Sequence, residues 1–401
     1  MENKNGGYTG AFCSMVMEIK NNMKQWVVLM ALLMPMSVWA QTSPYIHTVY
    51  EYSPAPGQFV NVLPEITTED TKENVLKKVQ NAIAGKANGS AVSLGAWGGY
   101  IVVGFDHEVQ NVHGEMDLKI YGNAMLNAAE PGVIMVAQDV NENGIPDDSW
   151  YELKGSEHDN QLTHLDYEVV YYRPAPNHTP TPHPTQNLIS DMQYIAWKAI
   201  DGQSGYLEKN TFHNQDYFPS WIKEDSIRLK GTRLPDNAFD PNGNGTFFSM
   251  KTYEWGYADN QPNGKDESCV DIDWAVDEKG NPANLTSIDF VKVYTGVFQS
   301  NGWTGECSTE IAGMVDLHEL KSDIKQSVGN ICMKQIDKGI YIYVEKPANF
   351  VLYDMLGNKL CEELLTEGEN ELQLPTDMKG TFIACVYANN QIFLTRKIVV
   401  F

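Results

Sequence analysis

Residues 100–105 read YIVVGF, a run of β-branched and aromatic side chains that suits a pleated sheet. Segments of the same kind recur at 116–121 (MDLKIY), 132–137 (GVIMVA), 167–172 (YEVVYY), 226–229 and 288–294 (IDFVKVY). Turn signals separate them roughly every 8 to 20 residues. One helical pattern stands out, at 68–84: Thr68-Glu69-Asp70 opens it, Val75, Leu76, Val79 and Ile83 share a face, and Gly85 stops it. An α/β fold would need a helix between successive strands. Residues 41–320 are therefore predicted to form a large antiparallel β-sandwich or jelly roll with one short N-terminal helix. Residues 53–57 are an extended Pro-rich piece, and the polyproline loop at 178–184 (HTPTPHP) is a surface excursion.

A polar segment at 321–330 (KSDIKQSVGN) separates a second module, 331–401. Strands are expected at 340–344, 350–353, 371–374, 380–387 and 392–400, with a hairpin connection at 354–359 in which Gly357 supplies a positive φ. Two apolar faces in so short a stretch make a small Ig-like β-sandwich. The chain reads as all-β.

Composition agrees. The 401 residues and 45.0 kDa suit two domains. Nine Trp, 20 Tyr and 32 Gly favour pleated faces and tight turns. Lys+Arg number 29 against 52 Asp+Glu, a net charge of −23, so the chain has no electrostatic route to nucleic acid or anionic lipid.

Residues 26–36 (WVVLMALLMPM) are apolar and uncharged, Lys24 precedes them, and Val38-Trp39-Ala40 offers a processing site. This is the build of a secretory signal peptide, residues 1–40. The 15 residues from Trp26 to Ala40 fall short of the roughly 20 a spanning helix needs, and no later stretch could span. The polar residues 1–22 are unlike a signal's entry end, which puts the native start at Met17 or Met23. The mature protein is expected to begin near Gln41 and to be exported. Export permits disulfides, but Cys269, Cys307, Cys332, Cys361 and Cys385 have no repeated spacing and no metal-ligand pattern. A Cys269–Cys307 bridge stays open; Cys361 and Cys385 read as small buried apolar residues.

Two resemblances add to this reading. The tail carries FVLYDMLG at Phe350–Gly357, GTFI at Gly380–Ile383 and the closing strand Arg396-Lys397-Ile398-Val399-Val400. It resembles the C-terminal sorting domain of the type IX (Por) secretion system of Bacteroidetes, with Phe382 where that family often has Tyr. The resemblance implies outer-membrane secretion machinery as a partner, a cell-surface or secreted location, and no chemistry in the tail. Within 54–317, GAWGGYIVVGFDHEV, DLKIYGNA, EWGYADN, DIDWAVDEKGNP and IDFVKVYTGV resemble a family of Bacteroidetes secreted "cell surface proteins". That family has no assigned reaction; the setting of some members, similar to cobalamin-uptake loci, implies a corrinoid as one ligand class.

The sharpest constellation is Asp139-Val140-Asn141-Glu142-Asn143-Gly144-Ile145-Pro146-Asp147-Asp148. Ca²⁺ takes six to eight oxygens, and this D-x-N-x-N-G start delivers them: side chains of Asp139, Asn141 and Asn143, a glycine for the bend, the Ile145 carbonyl and Asp147. Trp150 stands where an EF-hand has its bidentate Glu, so the loop is closer to helix-free calcium loops, with Asp148 or Glu152 supplying the missing carboxylate. A polar hairpin held by Asx turns is the competing reading. Asp240–Gly245 repeats the pattern without a following carboxylate and reads as a turn.

Enzyme motifs are absent: no H-E-x-x-H, G-x-S-x-G or G-x-x-x-x-G-K-[ST] occurs. Asp271 and Asp273 would place two carboxylates on one strand face, the weak catalytic candidates of a glycoside hydrolase. His107, His113, His178 and His183 lack zinc spacing and read as solvated loop residues. Trp255, Tyr257, Asp259 and Asn260 (EWGYADN) set flat rings beside amide and carboxylate groups and are the first choice for ligand contact. The function expected is a secreted, calcium-braced ligand-binding protein that captures a polar nutrient, a glycan or a corrinoid. A carboxylate-dependent hydrolase and a structural or adhesive surface protein are the alternatives.

Overall fold

The computed structural model describes residues 42–319, 331–336, 339–354, 357–374, 378–388 and 391–400. The expected signal peptide and the polar segment 321–330 lie outside them. The chain is mostly β, helices are few, and every pairing between named strands is antiparallel. Among the described residues no helix is long and apolar enough to cross a membrane.

A six-stranded sheet carries the body. Its order is β1 (Thr48–Ser53), β3 (Tyr100–Gln110), β15 (Ser287–Thr295), β5 (Gly132–Ala137), β6 (Trp150–Leu153) and β14 (Ala275–Val276). The central strands are buried almost without alternation because the sheet is covered on both faces. Ile134, Val136, Val291 and Val293 point into one core with Val75, Val79 and Ile83 of the helix α1 (Lys72–Ile83). Val133 and Tyr294 point the other way, toward Leu234, Tyr253 and Tyr257. Each such apolar side chain contributes about 1.5–3 kcal/mol on burial.

The helix starts later than Thr68 because Asp70 accepts the Thr67 N–H and hydroxyl in a turn of its own, leaving Thr71 as the N-cap that accepts from Asn74 N. Beyond the helix, Gly85 has φ +68°, and its N–H donates to Ile46 O instead of to a helix carbonyl.

A four-stranded sheet follows the order β10 (Ser226–Arg233), β7 (His164–Tyr172), β8 (Ile189–Ala199) and β9 (Ser204–Asn210). Tyr167, Val169 and Tyr171 pack on Trp97, Tyr217 and Phe218. Smaller sheets close the body: β13 (Cys269–Val270) with β4 (Leu118–Tyr121) and β17 (Gly313–Asp316), β16 (Glu310–Ile311) with β2 (Val92–Ser93), and β11 (Ala238–Phe239) with β12 (Ser249–Met250).

The C-terminal module pairs a three-stranded sheet, β18 (Ile331–Ile336), β19 (Gly339–Val344) and β22 (Gly368–Gln373), with a four-stranded one. The second sheet runs β21 (Lys359–Leu365), β20 (Ala348–Tyr353), β23 (Gly380–Ala388) and β24 (Gln391–Val400). Ile340, Ile342 and Val344 of the first sheet share a core with Phe350, Leu352, Ala384 and Val386 of the second. The expected hairpin is present, with Gly357 at φ +85° and Asp354 N donating to Asn358 O. Cys361 is half-buried and Cys385 buried.

Candidate functional site

The bend 139–148 is the connection between β5 and β6, on the exposed end of that hairpin. Asp139 organises it: its carboxylate accepts from Asn143 N at 3.0 Å and Gly144 N at 2.7 Å. Gly144 takes φ +72°, which a side chain would strain. Asn141 and Asn143 hold the Asp147 carboxylate through their amides at 3.3–3.4 Å, and Asp148 accepts from Val140 N. The Ile145 carbonyl accepts from Asp147 N at 2.8 Å, while its side chain faces solvent. Beneath the bend, Asp289 of β15 accepts from Asp139 N at 2.7 Å. Burial raises the Asp289 carboxyl, and the charges of Glu108, Asp139 and Asp148 raise it further. Asn141, Asn143 and Asp147 thus meet through their side chains, while Asn141 Oδ1 and Asn143 Oδ1 accept the N–H groups of Asn143 and Ile145 in Asx turns, the polar-hairpin geometry of the competing reading. Asp139, Asp147 and Asp148 do not converge as tightly as another group of acids in the same chain.

That group is Glu130, Asp259 and Glu310, whose carboxylates offer oxygens within 4.8 Å of one another, the only such trio of His, Cys, Asp or Glu among the described residues. Asp259 is its centre. One oxygen accepts from Asn123 N (2.7 Å) and Ala124 N (2.8 Å), the other from Glu310 N (2.9 Å). Glu310 accepts from Ser308 Oγ at 2.8 Å and Asn123 Nδ2 at 3.1 Å; Glu130 accepts from Ser308 N at 3.0 Å. Among the described residues, no Lys, Arg or His pairs with the three. Burial raises Glu310 to about 8, with the Asp259 charge adding to it, and raises Asp259 to about 6 against the backbone N–H groups that favour its anion. Glu130 is pushed well up by burial and by its two neighbours. Three anions at this separation in a poorly solvated place must be neutralised, by protons or by a cation. The trio could hold a metal ion.

The sequence selected Asp259 for a different reason, and that reason needs correcting. EWGYADN is not an exposed platform. Tyr257 is 2 % exposed and Asn260 fully buried. Asn260 clamps its own turn, accepting from Tyr253 N and donating to Tyr253 O, while the Tyr257 hydroxyl accepts from Glu157 N. Trp255 packs against Trp274 with centroids 4.7 Å apart. Gly256 at φ +92° and Asp259 at φ +49° fold the segment inward.

Asp271 and Asp273 do not share a strand face either. Ile272–Trp274 is a single 3₁₀ turn, and Asp271 caps it by accepting from Asp273 N at 2.8 Å. Asp273 is held by Asn111 Nδ2 and His113 Nδ1. The hydrogen bond from Asn111 lowers Asp273, whereas burial raises Asp271. The histidines are braces more than solvated loop groups. His107 lies in β3 between Asp106 (2.7 Å) and Asp316 (2.9 Å); burial pulls it down, but the bonds to Asp316 and Asp106 prevail and lift it to about 9. His178 pairs with buried Asp191, and His183 accepts backbone N–H groups of Thr185 and Gln186. His113 alone of the four has a largely exposed side chain. Cys269 and Cys307 are both free thiols.

No protein-family model and no curated protein matches this chain. Among solved structures it is similar to a β-glucuronidase of Faecalibacterium prausnitzii at 8% identity and TM-score 0.18, over 72% of this chain and 47% of that one. A Ruminococcus gnavus β-glucuronidase matches at 10% identity and TM-score 0.17, over 74% and 47%. The chain thus spans less than half the length of these structures, and at such TM-scores the likeness carries no argument about activity.

Signal for the acidic trio was weak in the sequence. Glu130, Asp259 and Glu310 are isolated acids in three distant segments, and only the meeting of β16 with two loops joins them.

Proposed function

We propose that this chain is an exported cell-surface binding protein. Its body, a sandwich or jelly roll, is braced by calcium and captures a polar nutrient, a glycan or a corrinoid. Its C-terminal Ig-like module is handled by outer-membrane secretion machinery. The observation that supports this reading most is the 139–148 bend, where the backbone winds on the Asp139 carboxylate and Asn141 and Asn143 meet Asp147. Hard oxygens on a glycine-containing bend are what Ca²⁺ selects. The trio Glu130, Asp259 and Glu310 is a second, buried oxygen cluster of the same chemical type. A hydrolase working through Asp271 and Asp273 is not favoured, because Asp271 spends its carboxylate capping a turn.

Thermal melting of the exported chain tests the reading, with chelator, with added Ca²⁺, and with glycans and cobalamin as further additions. A Ca²⁺-dependent rise and a further rise with one ligand class are expected, since a ligand that binds only the folded state stabilises it. Melting indifferent to chelator would remove the brace; indifference to every ligand would leave the adhesive alternative.

A further inference from the structure

A cavity of about 390 Å³ opens between the β8–β9 hairpin and the loops that carry Asp236, Phe248 and Phe298. Aromatic rings form its walls. Trp197 of β8 lies opposite Gly205 of β9, where a Cβ would stand 2.8 Å from the indole, so the glycine lets the ring lie flat on the neighbouring strand. Phe298 meets Trp197 edge to face at 4.7 Å. Half-buried Phe248 completes the apolar surface, while exposed Tyr206, paired with Ala196, projects from the opposite face of the sheet to Trp197.

The polar lining decides what fits. Arg233 is its one Lys or Arg. Its guanidinium is already placed over Tyr167 and Phe298, at 5.1 and 5.6 Å, with Asp236 at 3.6 Å. The cation–π position is therefore filled from within. Asp236 and Glu306 outnumber that one cation, which disfavours a phosphate or a carboxylated ligand. A corrin macrocycle is too large for this volume. What remains is a small neutral molecule with apolar faces and a rim of hydroxyl groups. That is the description of a sugar ring, which stacks on aromatic faces and satisfies carboxylates and amides at its edge.

We propose that this cavity binds the end of a neutral glycan, one ring packing among Trp197, Phe248 and Phe298 and its hydroxyls donating to Asp236. This rests on the binding-protein reading above and names the place and the ligand class. Glu306 is outside the contact set, because its carboxylate is taken by Gln58 N and Nε2.

Calorimetric titration of the full exported chain tests it, with neutral oligosaccharides of glucose, mannose, galactose and xylose, a uronate oligosaccharide, spermine and cobalamin as probes. A neutral oligosaccharide is expected to bind, and Phe248→Ala and Asp236→Asn each to weaken it about tenfold with unchanged melting. Trp197→Ala is expected to abolish binding but also touches the core, so the other two variants carry the test. Tighter binding of the uronate or of spermine overturns the assignment. So does neutral-sugar binding that neither variant alters, or cobalamin binding alone, although both leave the binding-protein reading standing. Silence from every probe overturns both.

Discussion

A Cβ on Gly122 would stand 2.2 Å from Asp259 Oδ1. The next two residues, Asn123 and Ala124, give that same oxygen their N–H groups. The Gly122 side of the loop is therefore cut to fit a carboxylate. Gly122→Ala is expected to force Asp259 off these donors and cost about 1–3 kcal/mol, as overpacking does. Equilibrium urea unfolding reads it; an unchanged midpoint would contradict the fit.

Glu310 and Asp259 have folded values above the ordinary carboxylate range, about 8 and about 6. A raised carboxyl favours the fold while protonated and opposes it once ionised, so its contribution is complete below the unfolded value and is lost as pH rises through the folded one. Without divalent ions, stability is expected to fall between about pH 5 and pH 8. A cation at the trio would displace the protons, so the stabilisation by Ca²⁺ should grow over the same window. Melting at three pH values with and without chelator gives both trends, and Glu310→Gln should flatten them. Parallel curves would refute the linkage.

His107 works in the same direction over a different interval. Its folded value of about 9 lies above the unfolded one, so the pairs with Asp106 and Asp316 contribute fully below about pH 6.5 and fade as pH rises through 9. His107→Gln should remove that alkaline slope while leaving the lower-pH trend of the acidic trio intact. The two slopes failing to separate would count against this account.

The two oxygen clusters can be told apart. Asp139→Ala removes the acceptor of Asn143 N and Gly144 N in the bend and leaves the trio untouched. Ca²⁺ titration followed by melting should show one component lost in Asp139→Ala and another in Glu310→Gln. If both variants retain the full Ca²⁺ response, neither place is the brace.

Cys307 is 1 % exposed and burial raises its thiol well above the ordinary range, with the charge of Glu130 next in effect. Native protein should resist alkylation at Cys307, and denatured, unreduced protein should take the label at both Cys269 and Cys307. A mass showing the two linked would contradict the free thiols.

Much of the sheet was legible. GVIMVA became β5 with its predicted ends, and YIVVGF and IDFVKVY became β3 and β15, because runs of β-branched residues have few alternatives when both faces are covered. β8 and β9 were missed: Ser190, Asp191, Gln193 and Lys198 interrupt the apolar pattern, and the pair is made by a hairpin around Gly202 at φ +85°. EWGYADN misled for a backbone reason, since residues that look like a polar turn in one dimension are folded inward by two left-handed conformations. The 139–148 bend was legible because its contacts, Asp289 apart, are local, and the acidic trio was not because its members meet only through the fold.

The rims of the six-stranded sheet have one more consequence. At one side β14 is only two residues long. At the other, the amide of Val49 in β1 is claimed by Gln80 Oε1 of α1, and the helix is fastened there by Gly85 N to Ile46 O. An incoming strand would find almost nothing to zip onto at either margin. That sheet is finished against accretion, and a neighbouring copy packed along its margins has little seam on which to fuse.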